Sequence, residues 1–133
     1  MNPIKEHQWE KRVLIFSATS PTNIGYKRQE QLMSKGKKGM KERDLIVYKL
    51  YDDHWIDHKD KILSKEQAVA IRKEYDIPEG QFMVLLIGKD GGVKMRKDDI
   101  MSTREIFALI DSMPMRKQEM REQKRIKDNG LEF

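Results

Sequence analysis

Residues 12–23, RVLIFSATSPTN, place a run of apolar side chains directly before a group of hydroxyl and turn-forming residues. The apolar run is continuous rather than alternating, which is typical of a strand covered on both faces of a sheet. Ser20 is a favoured N-cap residue, and Pro21 would then occupy the first helical position. The stretch therefore predicts a buried strand over residues 12–18, and a helix that begins at one of these two residues and runs to about Lys35.

The middle of the chain continues this alternation of strands and helices. The basic segment KGKKGMKERD, residues 35–44, is predicted to be an exposed connection because two glycines interrupt it. DLIVYKLY, residues 44–51, is β-branched and aromatic and predicts a second strand, parallel to the first through a right-handed crossover. Residues 52–63 are predicted to be irregular. A helix then opens at Ser64, with Gln67 as its capping-box partner.

The last third of the chain predicts a hairpin followed by helices. FMVLLIG, residues 82–88, is the most apolar run, and the Asp-Gly turn after it predicts an antiparallel return strand over residues 93–96. Ser102 and Glu105 form a second potential capping box. Pro114 is expected to break or kink the helix that this capping box opens. The remaining residues, about 116–133, predict a charged helix with little to bury and a frayed tail.

The predicted order β-α-β-α-β-β-α defines the fold class. It predicts an α/β, thioredoxin-like domain with a mixed four-stranded sheet and helices on both faces. The length of 133 residues fits a single domain over residues 1–133. The chain contains no cysteine, which excludes disulfides, thiolate metal sites and every thiol-based reaction. The formal charge of +5 favours acidic partners, although mixed charges on a soluble surface are the simpler explanation.

Several motifs resemble the bacterial family catalogued as domain of unknown function 4174. They are GKDGGVK and EIFALIDSMPMR, then KQEM, with Trp9, Arg12 and ERDL upstream. The resemblance spans nearly the whole chain and implies a thioredoxin-like, peroxiredoxin-related fold. It also implies a relation to the DUDES group of secreted vertebrate matrix proteins. The family has no assigned catalytic residues, so the resemblance supplies none.

The predicted strand-to-helix turn is the first candidate site. Thioredoxins keep a reactive thiolate at this position, whereas Thr19, Ser20, Thr22 and Asn23 occupy it here. A hydroxyl nucleophile would need a neighbouring base, and the sequence offers no histidine nearby. Two interpretations remain: the residues simply cap the helix, or they bind an anion or small polar ligand through hydroxyls and free amides.

Two further groups of residues are candidate sites. The basic stretch is predicted to contact polyanions through Lys35, Lys37, Lys38, Lys41 and Arg43. The charged C-terminal helix could add Arg116, Lys117, Arg121, Lys124, Arg125 and Lys127, although acidic residues interleave with them. No aromatic residue is interleaved to stack bases, which argues against sequence-specific nucleic-acid binding. His54 and His58 are weak candidates for a metal site, and no cofactor or bound metal is expected.

The sequence therefore favours a redox-inactive thioredoxin-like binding module that recognises an unknown protein or an anionic ligand. One alternative is an enzyme of unknown reaction that uses the Thr19–Ser20 turn and a basic residue such as Arg96. Another alternative is a polyanion-binding domain of the glycosaminoglycan-binding type. The family resemblance implies export to the periplasm or cell exterior after loss of a leader. A cytoplasmic location is expected instead if Met1 is the native start. No segment is apolar over the length that a membrane span requires.

Overall fold

The computed structural model describes residues 2–128 and contains one five-stranded mixed sheet. The strands are β1 Arg12–Ser17, β2 Leu45–Leu50, β3 Trp55–Ile56, β4 Met83–Ile87 and β5 Val93–Lys97. Their order across the sheet is β3-β2-β1-β4-β5. β1 and β2 are parallel, and the other neighbouring pairs are antiparallel. The thioredoxin-like α/β class predicted from the sequence is confirmed, with one strand more than expected.

Helices cover both faces of this sheet. They are α1 Ile24–Ser34, α2 Lys37–Glu42, α3 Lys65–Tyr75, α4 Thr103–Asp111 and α5 Pro114–Asp128, together with a 3₁₀ helix at Pro3–His7. The 3₁₀ helix and α3 share one hydrophobic core, which includes Ile4 and Ile71. α1 and α4 share the core on the opposite face, which includes Met33 and Ile106. Within residues 2–128, no helix combines the length and apolar character needed to cross a bilayer.

The continuous apolar runs form the interior strands. Every residue of β1 and β4 is buried. In β1, Leu14 and Phe16 point into one core, whereas Val13 and Ile15 point into the other. A strand between two helical layers has no face towards solvent. The side chains on both of its faces are therefore mostly apolar. This is why these two runs were recognisable from the sequence.

The strand β3 was not predicted, because residues 52–63 were expected to be irregular. Trp55 and Ile56 pair antiparallel with Leu50 and Lys49 of β2. The turn after β3 is closed by Asp57, whose backbone N–H donates to the carbonyl of Lys61 at 2.8 Å. Two paired residues are too few to produce an alternating pattern, so the pairing arises from contact with β2 rather than from local sequence preference.

The basic connection over residues 35–44 is exposed, as predicted, but it contains a short helix that the sequence did not indicate. Residues 37–42 form α2, and its glycines allow close packing against α4. A Cβ on Gly39 would overlap the ring of Phe107, and one on Gly36 would lie 2.7 Å from the Thr103 methyl carbon. The two glycines were interpreted as chain breakers, whereas they let this helix approach its neighbour.

The last two helices meet at Pro114, as predicted. The Ser102 hydroxyl caps α4 by accepting the Glu105 N–H at 3.0 Å, which confirms the predicted N-terminus of that helix. α5 begins at Pro114. Proline has no backbone N–H, but the N–H groups of the first helical turn have no partner within the helix, so none of the hydrogen bonds of the helix is lost. The expected frayed tail falls partly on residues 129–133, which lie outside the described residues.

Arg116 is the one buried residue of α5 within the described residues, as expected for a helix with little to bury. An ion-pair cluster attaches this helix to the start of β1 and to the residues after β4. Glu119 accepts hydrogen bonds from the buried Arg12, at 3.2 Å to each oxygen, and from the Lys89 ammonium at 2.7 Å. Nearby, Asp111 of α4 accepts from Arg43 at 2.8 Å and from Arg116 at 3.1 Å. The charged helix is therefore held by paired charges rather than by apolar area.

Candidate functional site

Residues 18–23 connect β1 to α1 as a turn, and the helix begins later than predicted. The side-chain oxygen of Asn23 accepts the Tyr26 N–H at 3.0 Å, so Asn23 is the N-cap of α1. The Ser20 hydroxyl lies 2.6 Å from the Thr22 hydroxyl and accepts the Thr22 N–H at 3.3 Å. The predicted start at Ser20 or Pro21 is wrong, because serine, threonine and asparagine are all good caps and only the fold selects among them.

A pair of alanine substitutions separates these two roles. We expect Asn23→Ala to lower the free energy of unfolding by about 1 kcal/mol, because an N-cap hydrogen bond is lost. Ser20→Ala should change it by less than about 0.5 kcal/mol, because Ser20 caps only a surface turn. Urea unfolding followed by circular dichroism measures both values. Equal costs for the two variants would show that Asn23 is not the dominant cap.

The hydroxyls of this turn lie at the surface beside the segment that follows β2. Thr19 and Thr22 are exposed, and Ser20 is half-buried. The carbonyl of Thr19 accepts the Asp52 N–H at 3.2 Å, which joins the turn to the end of β2. Ligand binding by Thr19, Ser20, Thr22 and Asn23 stays a prediction, and the caps and mutual hydrogen bonds of three of them agree with a structural role.

A buried arginine lies directly beneath the ends of β1 and β2, and sequence reasoning did not single it out as a site. The Arg72 side chain of α3 donates to the Ser17 hydroxyl at 3.0 Å, to the Pro78 carbonyl at 3.0 Å and to the Tyr51 carbonyl at 3.2 Å. Its residue is only 9% exposed. Its Nε is buried and has no hydrogen-bond partner among the described residues. The sequence feature that could have identified Arg72 is the position of a basic residue on the apolar face of a helix.

The Arg72 guanidinium donates hydrogen bonds to neutral oxygens rather than to a carboxylate. Burial lowers the pKa of the guanidinium, and the charges of Glu79 and Asp52 only partly oppose this shift. Carbonyl and hydroxyl acceptors satisfy most of its donors, so the side chain links β1, β2 and the α3–β4 connection. The buried cation therefore stabilises the ends of β1 and β2, and none of its hydrogen bonds reaches residues 18–23.

Arg96, the basic residue named in the enzyme alternative, forms its hydrogen bonds away from the strand-to-helix turn. Its guanidinium donates to the carbonyls of Tyr75 and Asp76 at the C-terminus of α3, and to the Met83 sulfur at 3.1 Å. None of these hydrogen bonds reaches residues 19–23. This arrangement gives Arg96 a helix-capping role, since cations are favourable where helix carbonyls are left unpaired.

Six exposed cations of α1, α2 and their junction form what we call the basic α1–α2 surface. They are Lys27, Arg28, Lys35, Lys37, Lys38 and Lys41. Arg43 does not belong to this surface, because it pairs with Asp111 at 2.8 Å and lies over the Phe107 ring at 4.1 Å from the centroid. Arg116 of the C-terminal helix is likewise buried and paired with Asp111. The predicted polyanion-binding set therefore loses these two arginines as exposed charges.

The two candidate metal-binding histidines lie against different neighbours. His54 contacts the Asp53 carboxylate at 2.7 Å and packs on Tyr51. His58 stacks on Tyr48 and lies edge-to-face against His7, with ring centroids 4.8 Å apart. They flank β3 rather than one face of a helix, so the i, i+4 geometry that motivated the pair is not formed. Within residues 2–128, no cluster of three or more acidic or histidine ligands is found.

A cleft of about 460 Å³ opens between the α1–α2 side and the turn after β3. Its floor includes the partly buried side chains of Ile46 and Val47 in β2, with Met33 and Met40 on the helical side. Charged side chains of both signs also line the cleft: Lys37, Lys49, Glu30, Asp57 and Asp60. The cleft therefore combines apolar side chains with charges of both signs and borders the basic α1–α2 surface, which sequence patterns along any single segment could not indicate.

The fold and the cysteine-free turn together define a thioredoxin-like protein without thiol chemistry. The chain belongs to the family described as domain of unknown function DUF4174, whose model matches residues 3–119. Sushi repeat-containing protein SRPX of Rattus norvegicus is 28% identical over 114 residues, which cover 84% of this chain and 25% of that protein. Coiled-coil domain-containing protein 80 of Danio rerio is 28% identical, over 90% of this chain and 16% of that protein. The chain thus spans a quarter or less of these relatives.

Solved structures support the same fold. The reduced 2-Cys peroxiredoxin of Plasmodium vivax is similar with a TM-score of 0.63 and 15% identity, over 86% of this chain and 84% of that chain. Thioredoxin peroxidase I of Plasmodium yoelii has a TM-score of 0.61 and 18% identity, over 86% of this chain and 79% of that chain. At such identities the likeness shows the fold alone. The bacterial origin and the DUDES grouping stay predictions.

Proposed function

We propose that this domain is a redox-inactive binding module whose basic α1–α2 surface recognises an acidic partner. The observation that carries the proposal is the position of the net charge. Residues 24–43 contain seven basic and two acidic residues, a net of +5, which equals the formal charge of the whole chain. The rest of the chain is therefore neutral overall, and the charge excess is concentrated on one pair of helices.

The pairing of charges supports the same surface. None of the six cations of the basic α1–α2 surface forms an ion pair within the described residues, whereas Arg12, Arg43, Lys89 and Arg116 are all paired. Lysines elsewhere, such as Lys59, Lys65 and Lys73, are also without an ion pair within residues 2–128, so clustering on two adjacent helices is what distinguishes this surface. An unpaired cluster of like charges repels itself and lowers stability slightly. An acidic partner would remove that repulsion and release bound counterions. The geometry thus favours the anionic-partner proposal over the enzyme alternative.

Charge reversal on α2 tests this proposal. We expect the triple variant Lys37→Glu, Lys38→Glu, Lys41→Glu to weaken binding to heparin by roughly tenfold or more at about 0.1 M salt. The matched control reverses Lys59, Lys65 and Lys73, which are exposed, lie outside α1 and α2 and form no ion pair within residues 2–128. Both triple variants change the net charge by the same amount. Biolayer interferometry over a salt series measures the affinity and its salt dependence.

The outcomes of this test are distinct. Loss confined to the α2 triple variant, with a shallower salt dependence, supports a localised acidic-partner surface. Equal loss in both triple variants would show that only the total charge matters and would overturn the proposal. Wild-type protein that does not bind heparin or acidic peptides would overturn it as well.

We also propose that the domain meets its partner outside the cytoplasm, as the family resemblance implies. The test is fractionation of cells that express the complete gene product from its native start codon. Recovery in the periplasm or medium supports export. Recovery only in the cytoplasm would remove extracellular partners from consideration, while leaving the basic surface itself unaffected.

A further inference from the structure

The Glu119 carboxylate of α5 lies between two cations that are almost completely buried. The Arg12 guanidinium donates to its two oxygens at 3.2 Å each, and the Lys89 ammonium donates to one of them at 2.7 Å. The Arg12 side chain is 1% exposed and the Lys89 side chain 8% exposed. A guanidinium fork with an ammonium beside it matches the oxygens of a carboxylate or a phosphate. The two cations therefore have the arrangement of an anion-binding site, and Glu119 supplies the anion.

The other charged groups beside this site are also paired, and Arg12 has the fewest partners. Asp44 accepts from Lys89 at 2.8 Å, and Arg116 lies 3.5 Å from Glu119. Within residues 2–128, Arg12 pairs with no carboxylate except Glu119, and its Nε has no hydrogen-bond partner. Arg12 is therefore the cation that depends most on the anion in this site. Further ion pairs of the cluster join Lys11 to Asp44, and Arg43 and Arg116 to Asp111.

The helix α5 holds Glu119 in this site with little support from apolar packing. Arg116 is its one buried residue within the described part of the chain. Two of its apolar side chains, Met115 and Ile126, are 38% and 40% exposed. The hydrogen bonds from Arg12 to Glu119 are longer than the roughly 2.7–2.9 Å that is usual between charged groups. Moving α5 away would expose little apolar area and would cost mainly its ion pairs, so Glu119 is an exchangeable ligand.

A cleft of about 390 Å³ leads to the same two cations. Arg12 and Lys89 line it, together with the β4–β5 turn and the junction of α4 and α5. The carboxylate of Asp90 also lines the cleft, but it pairs with Lys94 at 2.7 Å. A small anion therefore has a path from solvent to the two buried cations.

We propose that Arg12 and Lys89 form a binding site for an oxyanion, a carboxylate or a phosphate, which Glu119 fills as an internal ligand and which an external anion takes over as α5 moves away. Neither cation belongs to the basic α1–α2 surface, so this inference goes beyond the proposed function and does not depend on it. Because Glu119 is part of the same chain, its effective concentration at the site is high. Removing the charge of Glu119 should therefore reveal the site to free anions.

Glu119→Gln removes the internal anion, and phosphate and acetate are the probes. We expect either anion at about 50 mM to raise the melting temperature of this variant by about 3 °C more than sodium chloride of equal ionic strength, because an anion that binds only the folded state stabilises it. The control is Glu122→Gln, which removes an exposed pair with Arg125 and keeps Glu119 in place. General salt effects and binding to the lysines of α2 are common to both variants and cancel in the comparison. Differential scanning fluorimetry measures the shifts.

The outcomes of this comparison are distinct. Equal shifts in Glu119→Gln and Glu122→Gln would overturn the inference. A larger shift in Glu119→Gln with both probes supports a site for oxyanions in general, and a larger shift with one probe alone assigns the site to that chemical class. Adding Lys89→Met to Glu119→Gln should reduce the shift to that of the control. A shift that persists in this double variant would place the bound anion elsewhere and overturn the inference.

Displacement of α5 is measured with Glu119 in place, so this readout does not depend on the folding of Glu119→Gln. Because the chain has no cysteine, Gln123→Cys provides a single labelling position on the exposed part of α5. We expect the fluorescence anisotropy of a label there to fall in about 0.5 M phosphate relative to chloride of equal ionic strength, because the free anion then outcompetes the tethered carboxylate. The same label at Lys73→Cys of α3 should not respond. Equal anisotropy of the α5 label in the two salts, or equal changes at both labels, would overturn the exchange.

Discussion

Replacing Glu119 by glutamine is expected to lower the free energy of unfolding by about 3 kcal/mol, because it removes the carboxylate that pairs with the buried Arg12 and one of the two carboxylates that pair with Lys89. The Arg12 side chain is 1% exposed and the Lys89 side chain 8% exposed, and Glu119 bonds to both. Replacing both partners of a buried ion pair by apolar residues often changes stability little. Removing only one partner is strongly destabilising, because it leaves an uncompensated buried charge. Detachment of α5 would relieve part of this cost by hydrating the cations, at the expense of the packing of that helix.

Urea unfolding of the purified domain measures this effect against a control on the same helix. Glu122→Gln removes an exposed pair with Arg125 and should cost less than about 0.5 kcal/mol. The two substitutions make the same chemical change at positions three residues apart. The difference between their costs in free energy of unfolding therefore reports the effect of burial. A Glu119→Gln cost as small as that of Glu122→Gln would mean that α5 does not depend on the ion-pair cluster.

The same residue should make the stability sensitive to acid. Burial alone would raise the pKa of the Glu119 carboxyl, but hydrogen bonds from Lys89 and Arg12 outweigh burial and hold it below the usual value of 4.5. A depressed folded pKa gives stability that is fully present above the unfolded pKa and is lost as the pH falls through the folded pKa. The stability difference between wild type and Glu119→Gln should therefore narrow below about pH 4.5.

Replacing Arg72 by methionine is the second substitution with a large expected effect. We expect a loss of about 3 kcal/mol, because the buried acceptors at Ser17 and Tyr51 lose their donor, at roughly 1–3 kcal/mol for each buried group left unsatisfied. The Pro78 carbonyl also loses a hydrogen bond but belongs to an exposed residue. Methionine fills much of the same volume and removes a buried charge, which offsets part of that cost. The expected decrease in the free energy of unfolding therefore comes from the unsatisfied acceptors and not from removal of the charge.

The control for Arg72 lies at the next position of α3. Lys73 is exposed, and Lys73→Met should change the free energy of unfolding by less than about 0.5 kcal/mol. Hydrogen exchange of the amides in residues 17–23 adds a local readout, because loss of Arg72 should accelerate exchange at this turn. Unchanged or increased stability of Arg72→Met would show that the buried charge costs more than its hydrogen bonds contribute.

Much of the fold was predictable because its signals are local or periodic. The capping pair of Ser64 and Gln67 marked the start of α3, and both reciprocal hydrogen bonds are formed. The Asp-Gly turn marked the β4–β5 hairpin, where Gly91 has a φ of 86°. By contrast, the start of α1 was misplaced because Ser20 and Asn23 are equivalent caps until the chain direction out of β1 is known.

The candidate site was much less predictable. The lysines of α2 were identified from charge density alone, whereas the pairing of Arg43 with Asp111 could not be predicted because Asp111 lies far away in the sequence. The site formed by Arg12, Lys89 and Glu119 could not be recognised either, since its three residues lie in separate segments of the chain.

The sequence by itself determined the thioredoxin-like class, the absence of thiol chemistry and the positive charge of the segment around α2. These follow from periodicity, composition and residue type, which do not depend on distant contacts. Only the tertiary structure decided that Arg72 is buried among neutral acceptors and that Glu119 neutralises two buried cations. It also decided that a cleft lined by apolar side chains and by charges of both signs opens beside β2. Each of these features depends on side chains or strands that are far apart in the chain and meet only through packing.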